Sequence, residues 1–167
     1  MLMAFDARHT TKKAAIATGT ISEGPERPSL TLSRTFAASP ERVWAAWTEP
    51  ESLKRWFAPG DEFLVPLAEA DVRVGGRYRL VMQAPDGERH DVRGVYREVV
   101  PNRRLVFTWA WHSTPERESL VTVELLPQAG GTELRLSHAQ FAEAAARDRH
   151  LAGWTGCLGR FERCALL

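Results

Sequence analysis

From residue 30 the chain alternates apolar and polar side chains, Leu30-Thr31-Leu32-Ser33-Arg34-Thr35-Phe36, the pattern of a strand with one buried face. Ser39-Pro40-Glu41-Arg42 then reads as a helix start. The Ser39 hydroxyl can accept from free backbone N–H groups, and Pro40 stands at the first helical position, where its missing N–H costs nothing. Val43, Trp44 and Trp47 give this short helix its apolar side. Glu49-Pro50-Glu51 opens a second one, with Leu53, Trp56 and Phe57 as its stripe, before Pro59-Gly60 ends it. From Phe63 to His138 the period is almost wholly two. It is broken at Gly75-Gly76, Pro85-Asp86-Gly87, Pro101-Asn102, Ser113-Thr114-Pro115 and Gly130-Gly131, all turn-forming sequences. This spacing predicts about six antiparallel strands in a meander. After Gln140 the period lengthens to about 3.6. Leu151, Trp154, Leu158, Phe161 and Ala165 then share one side of a long C-terminal helix, while Asp148, Arg149, Gly156 and Arg163 fall on the other.

Residues 1–28 show no sustained period and finish in Gly24-Pro25-Glu26-Arg27-Pro28, so a flexible leader is expected there, followed by one domain over residues 29–167. Gly153, Gly156 and Gly159 each weaken the final helix by about 1 kcal/mol relative to Ala, so packing must hold it. With Gly156 on the outer side, Gly156→Ala is expected to stabilise the protein.

Composition narrows the function classes. The 167 residues are 44% hydrophobic and 26% charged, enough for a sizeable single core. Lys and Arg total 22 against 21 Asp and Glu, and the net charge of +1 exerts no pull toward nucleic acid. No uncharged stretch reaches the roughly 18 residues of a membrane span, so a cytoplasmic location without membrane insertion is expected. Cys157 and Cys164 stand about 10 Å apart along a helix axis. That is too far for an internal disulfide, and they read as small buried residues.

The order strand, two short helices, meander, long helix is that of an α+β helix-grip fold. It has a curved antiparallel sheet of about seven strands, with the long C-terminal helix packed across it. Several strings fit one branch of this plan: Phe36 to Trp44 with Trp47 after it, Leu53 to Phe57, Val74-Gly75-Gly76-Arg77-Tyr78, Pro85-Asp86-Gly87, Gly94-Val95-Tyr96, Pro101 to Trp109, Gly131-Thr132-Glu133-Leu134 and Gly153-Trp154. Over roughly residues 30–163 the chain resembles the activator of heat-shock-protein-90 ATPase homologue-like (AHSA-type) family of the SRPBCC (START-like) superfamily. The resemblance implies the fold strongly and the function weakly, because the superfamily includes lipid binders, cyclases and oxygenase subunits. The co-chaperones that named the family carry a further N-terminal domain, and the leader is expected to be too short to be one.

Alternation puts Leu105, Phe107, Trp109 and Trp111 on one strand face. Tyr78, Leu80 and Met82 share another, as do Val121, Val123 and Leu125, and Leu134, Leu136 and His138. The candidate ligand-binding set is therefore Trp47, Trp56, Phe57, Phe63, Tyr78, Leu80, Met82, Tyr96, Phe107, Trp109, Trp111, Val123, Leu136, His138, Trp154, Leu158 and Phe161. Six tryptophans suit a site for a flat or greasy molecule between the sheet and the C-terminal helix, and they suit a solid core equally. The leading reading is a binding module for a small hydrophobic or aromatic molecule. The rivals are a cyclase- or hydrolase-like enzyme using His138 or Tyr96 for proton transfer, and an interaction protein with a packed core. His90, His112 and His150 have no zinc-site spacing, so neither metal nor other cofactor is expected. The sequence leaves a homodimer open.

Overall fold

The computed structural model describes residues 19–22 and 27–166. Its elements are β1 (Gly19–Ser22), β2 (Ser29–Phe36), α1 (Pro40–Thr48), α2 (Pro50–Trp56), β3 (Leu64–Ala70), β4 (Arg77–Gln83), β5 (Arg89–Val100), β6 (Arg104–Trp111), β7 (Ser119–Gln128), β8 (Gly131–Ala139) and α3 (Ala144–Cys164). All the strands join one antiparallel sheet in the order β1-β2-β8-β7-β6-β5-β4-β3. Six consecutive strands, β3 to β8, make the meander that the turn spacing predicts. The two short helices carry the chain from β2 to the far edge at β3, so they span the concave face that α3 also crosses.

The eighth strand comes from the leader. Gly19–Ser22 pairs with Leu32–Ser29, covering backbone groups that β2 would otherwise leave exposed at a sheet edge. Farther on, Arg27 donates to the carbonyls of Gln140 and Phe141, and the Phe141 N–H donates to the Pro28 carbonyl at 3.2 Å. Within the stretch expected to be a flexible leader, these two places are therefore paired to the rest of the domain. Residues 1–18 and 23–26 lie outside the described residues.

Local chemistry explains the helices that position the interior. Ser39 caps α1 by accepting from the Arg42 N–H at 3.3 Å, with Pro40 in the first turn. Val43 and Trp47 face inward, whereas Trp44 is only partly buried. α2 follows after one residue and buries Leu53 and Trp56, and the Trp56 indole N–H donates to Ala46 O at 2.8 Å. This bond clamps the two helices together. Register shifts between Leu64 and Leu67 and between Tyr96 and Glu98 bend the β3–β5 half of the sheet around them.

Close approach requires glycine at positions 94 and 156. A Cβ on Gly94 would lie 1.9 Å from Thr108 O and 2.5 Å from the Tyr78 ring, so only glycine lets Tyr78 lie across β5 and donate to Thr108 O at 2.5 Å. A Cβ on Gly156 would lie 2.1 Å from Pro59 O. The outer side of α3 is thus not open at Gly156: it is the seat of the α2–β3 loop. The same loop is held by Arg160, which donates to Arg55 O, Gly60 O and Phe63 O at 3.2, 2.8 and 2.9 Å. Arg163 adds an ion pair with Asp61 at 2.8 Å.

Candidate functional site

A cavity of about 20 Å3 lies under α1 and α2, against strands β4 to β6. Its walls are Trp47 from α1, Leu53 and Phe57 from α2, and Tyr78, Leu80, Tyr96, Leu105 and Phe107 from the sheet. These side chains meet because the strand period places Tyr78 and Leu80, and Leu105 and Phe107, on the concave face. Tyr78 and Phe107 meet edge to face at 5.2 Å, and Tyr78 and Tyr96 lie 5.6 Å apart. Burial raises the pKa of both phenols, with a smaller contribution at Tyr78 from Tyr96 and Glu118 and at Tyr96 from Asp71. The indole N–H of Trp47 is buried and has no acceptor among the described residues. Leaving such a donor unsatisfied costs about 1–3 kcal/mol.

A second polar centre lies beside this cavity, where α3 crosses β6 to β8. The Trp154 indole N–H donates to His138 Nδ1 at 3.0 Å. The neutral ring therefore carries its proton on Nε2 and donates it to Ser119 Oγ at 2.6 Å, and the Ser119 hydroxyl donates to Trp109 O at 3.3 Å. His150 repeats the arrangement: it accepts from Trp111 Nε1–H at 3.0 Å on Nε2 and donates from Nδ1 to Ala146 O at 2.7 Å. The two imidazoles stand 5.2 Å apart, ring centre to ring centre. Each gives up one lone pair to a tryptophan, so protonation would break an indole hydrogen bond as well as bury a charge. Burial, and secondly the neighbouring His150, hold His138 well below the usual imidazole range. Burial chiefly pushes His150 down to about 4, assisted by Arg149 and opposed by its bond to Ala146.

Another cavity of about 20 Å3 opens at the N-terminal end of α3. It is lined by Trp109, Trp111, Thr114, Arg117, Ser119, Phe141, Ala142, Ala146, Arg149 and His150. Each of these two cavities holds about one water, well short of the few hundred Å3 expected of a ready-made ligand site.

The candidate residues accordingly divide. Trp47, Phe57, Tyr78, Leu80, Tyr96 and Phe107 line the first cavity, and Trp109 and Trp111 the second. Trp56, Met82, Val123, Leu136, Trp154, Leu158 and Phe161 are buried in the continuous core, lining neither. Trp56 meets Phe161 edge to face at 4.8 Å, and Trp154 meets Phe57 the same way at 5.7 Å. Phe63 packs at the margin, half-buried. His138 belongs to the hydrogen-bonded centre. The first cavity therefore lies between the sheet and the short helices, whereas the expectation had put it under α3, whose aromatic face is filled by packing. Sequence reading missed His150, although its place four residues before Trp154 puts it on the same helical stripe. It also missed Leu53 and Leu105 as walls, and nothing in the pattern marks Thr114 or Arg117. Cys157 is buried with its thiol pKa pushed up by burial, as suits an inert core residue.

A family profile described as "Activator of Hsp90 ATPase homolog 1-like protein" matches residues 37–165. The chain belongs to this family. The human activator of 90 kDa heat shock protein ATPase homolog 1 is 29% identical over 127 residues, which cover 75% of the chain and 33% of that protein. The chain thus spans about a third of the length of the curated relatives it matches. Among solved structures, protein CV1439 from Chromobacterium violaceum is 28% identical, with a TM-score of 0.73 over 81% of this chain and 94% of that one. The AHSA1 (SPO3351) protein from Silicibacter pomeroyi is 30% identical, with a TM-score of 0.71 over 81% and 95%. The helix-grip architecture is therefore shared along the AHSA1-like domain. No helix among the described residues is long and apolar enough to cross a membrane.

Proposed function

We propose that this AHSA1-like domain binds a small, mainly aromatic molecule carrying one hydrogen-bond acceptor, in the cavity beneath α1 and α2. The observation that carries this reading is the Trp47 indole N–H, buried without an acceptor among the described residues, on a side chain that lines the cavity with apolar and aromatic neighbours. A filled core gains nothing from such a donor, whereas a ligand carbonyl or ether oxygen would satisfy it. The volume of about 20 Å3 means that the bound form must be wider, with α1 and α2 lifting from β4 to β6.

The enzyme alternative has weaker support. His138 lines neither cavity and has both ring nitrogens engaged, and the raised pKa of Tyr96 makes it a poor proton donor near neutrality. A role on a chaperone ATPase, as the curated relatives' name states of them, would rest on likeness to a third of their length.

The test is titration with neutral aromatic ketones and with hydrocarbons of the same shape, read by tryptophan emission and thermal shift. Saturable binding that favours the ketone, and a loss of that preference in Trp47→Phe, is the expected result. A broad panel producing neither a spectral change nor a thermal shift would overturn the reading.

A further inference from the structure

Three of the eight residues lining the cavity beneath α1 and α2 carry a polar side-chain atom, and none carries a charge. The three are Trp47, Tyr78 and Tyr96, and the others are leucine and phenylalanine. Tyr78 has already committed its proton, because its hydroxyl donates to Thr108 O at 2.5 Å. The Trp47 indole N–H has no acceptor among the described residues. The Tyr96 hydroxyl likewise makes no hydrogen bond to a described residue, and the carboxylate that acts on it, Asp71, is held by Arg73 at 2.8 Å. We infer that the ligand of this cavity is an uncharged aryl diketone, one carbonyl oxygen accepting from Trp47 Nε1–H and the other from the Tyr96 hydroxyl. The inference rests on the reading of the cavity as an aromatic-ligand site, and adds to it a second acceptor and the exclusion of charge.

Each part of that description answers a feature of the walls. An ion is excluded because no lining side chain bears a charge to meet it, and an unpaired buried charge costs far more than apolar contact returns. An acceptor is required at Trp47 because an indole nitrogen donates only. The Tyr96 phenol is kept protonated by burial and so offers its proton throughout the neutral range. Carbonyl oxygens satisfy both donors without bringing a further donor into an apolar cavity, where it would itself go unmet.

The placement of the two donors calls for two acceptors in one molecule. Trp47 stands on α1 and Tyr96 on β5, so they belong to the two layers that part when the cavity widens. The Trp47 ring packs on Trp56 of α2 at 4.7 Å, and Trp56 is bonded to Ala46 O, so the indole travels with the two helices as one unit. Tyr96 is fixed on the sheet. It pairs with Phe107 of β6, its carbonyl accepts from the Gly75 N–H at 2.8 Å, and its own N–H donates to Gly76 O at 2.9 Å. A molecule with one acceptor bonds to one layer only. A diketone bridges helix and sheet, and the helical cover settles back over it with both donors satisfied. A tyrosine held in this way loses little freedom on meeting the ligand.

The experiment is calorimetric titration of the full chain with 1,4-diacetylbenzene and, in parallel, with 4-isopropylacetophenone, which has nearly the same shape and a single carbonyl. The diketone is expected to bind about tenfold more tightly, the worth of one further hydrogen bond to a buried donor. Tyr96→Phe keeps the ring and should erase that preference, bringing the diketone to the affinity of the monoketone. Urea denaturation of the variant checks that it is folded. Equal affinity for the two compounds in the wild-type protein, or a preference that survives Tyr96→Phe, would overturn this inference while leaving the aromatic-ligand reading standing. Binding of neither compound, with none across the broader ketone panel, would overturn both.

Discussion

Gly156 shows how one position can reverse a propensity argument. Within an isolated helix, Gly156→Ala gains about 1 kcal/mol, and the polar side of α3 is where such a gain would be expected. In the folded protein the added carbon would lie 2.1 Å from Pro59 O and 2.9 Å from Pro59 C, backbone atoms of a loop whose neighbouring residues Gly60, Asp61 and Phe63 are bound by Arg160 and Arg163. Overpacking of this kind costs about 1–3 kcal/mol. We therefore expect Gly156→Ala to be destabilising in urea denaturation, and a rise in midpoint would show that the Pro59 loop yields freely. The helical period of α3 was legible in the sequence, but the partner that meets its outer side was not. Pro59 and Gly156 are distant in the chain and carry no shared pattern.

At the scale of elements, α3 acts as the anchor to which the α2–β3 connection is tied. The Arg160 side chain is buried at 9% exposure and serves the carbonyls of Arg55 in α2 and of Gly60 and Phe63 in the connection that follows. Removing it leaves buried acceptors without donors, at about 1–3 kcal/mol for each one that water cannot reach. Arg160→Met keeps most of the aliphatic packing and deletes the bonds. It should lower stability by about 2–4 kcal/mol in chemical denaturation and speed limited proteolysis within residues 57–63 of the native protein. If proteolysis there were unchanged, Arg160 would not be what holds the loop. The strands and helices themselves were readable because each follows its own period and turn chemistry. β1 was not: Gly19–Ser22 has four residues, too few to show a period, and gains its order from the open edge of β2.

Over the whole molecule, two indole–imidazole bonds join the helix to the middle of the sheet, Trp154 of α3 to His138 of β8 and Trp111 of β6 to His150 of α3, and His138 continues by an imidazole–hydroxyl bond to Ser119 of β7. Both histidines have a lowered pKa when folded, so the unfolded chain binds more protons as acid is added. Stability from them is fully present above the ordinary imidazole pKa of about 6.5 and is lost as pH falls from there toward about 4 for His150. His150 alone accounts for a loss on the order of 3 kcal/mol across that window. Urea midpoints measured from pH 7.5 to 4 should fall steeply below 6.5, and His150→Gln should flatten part of the slope. A flat profile in the wild-type protein would contradict this account. The sequence by itself determined the α+β class, the order of elements, and which faces of β4, β6, β8 and α3 are apolar, because those follow from periods of two and about 3.6 and from turn residues. Only the tertiary structure decided where the interior is filled and where space remains, which histidines become neutral acceptors, and that Glu143 joins Arg117 and Arg149. Those outcomes depend on side chains meeting across large separations in the chain. Volume, hydrogen-bond direction and charge pairing are properties of those meetings, which alternation along one strand or helix does not encode.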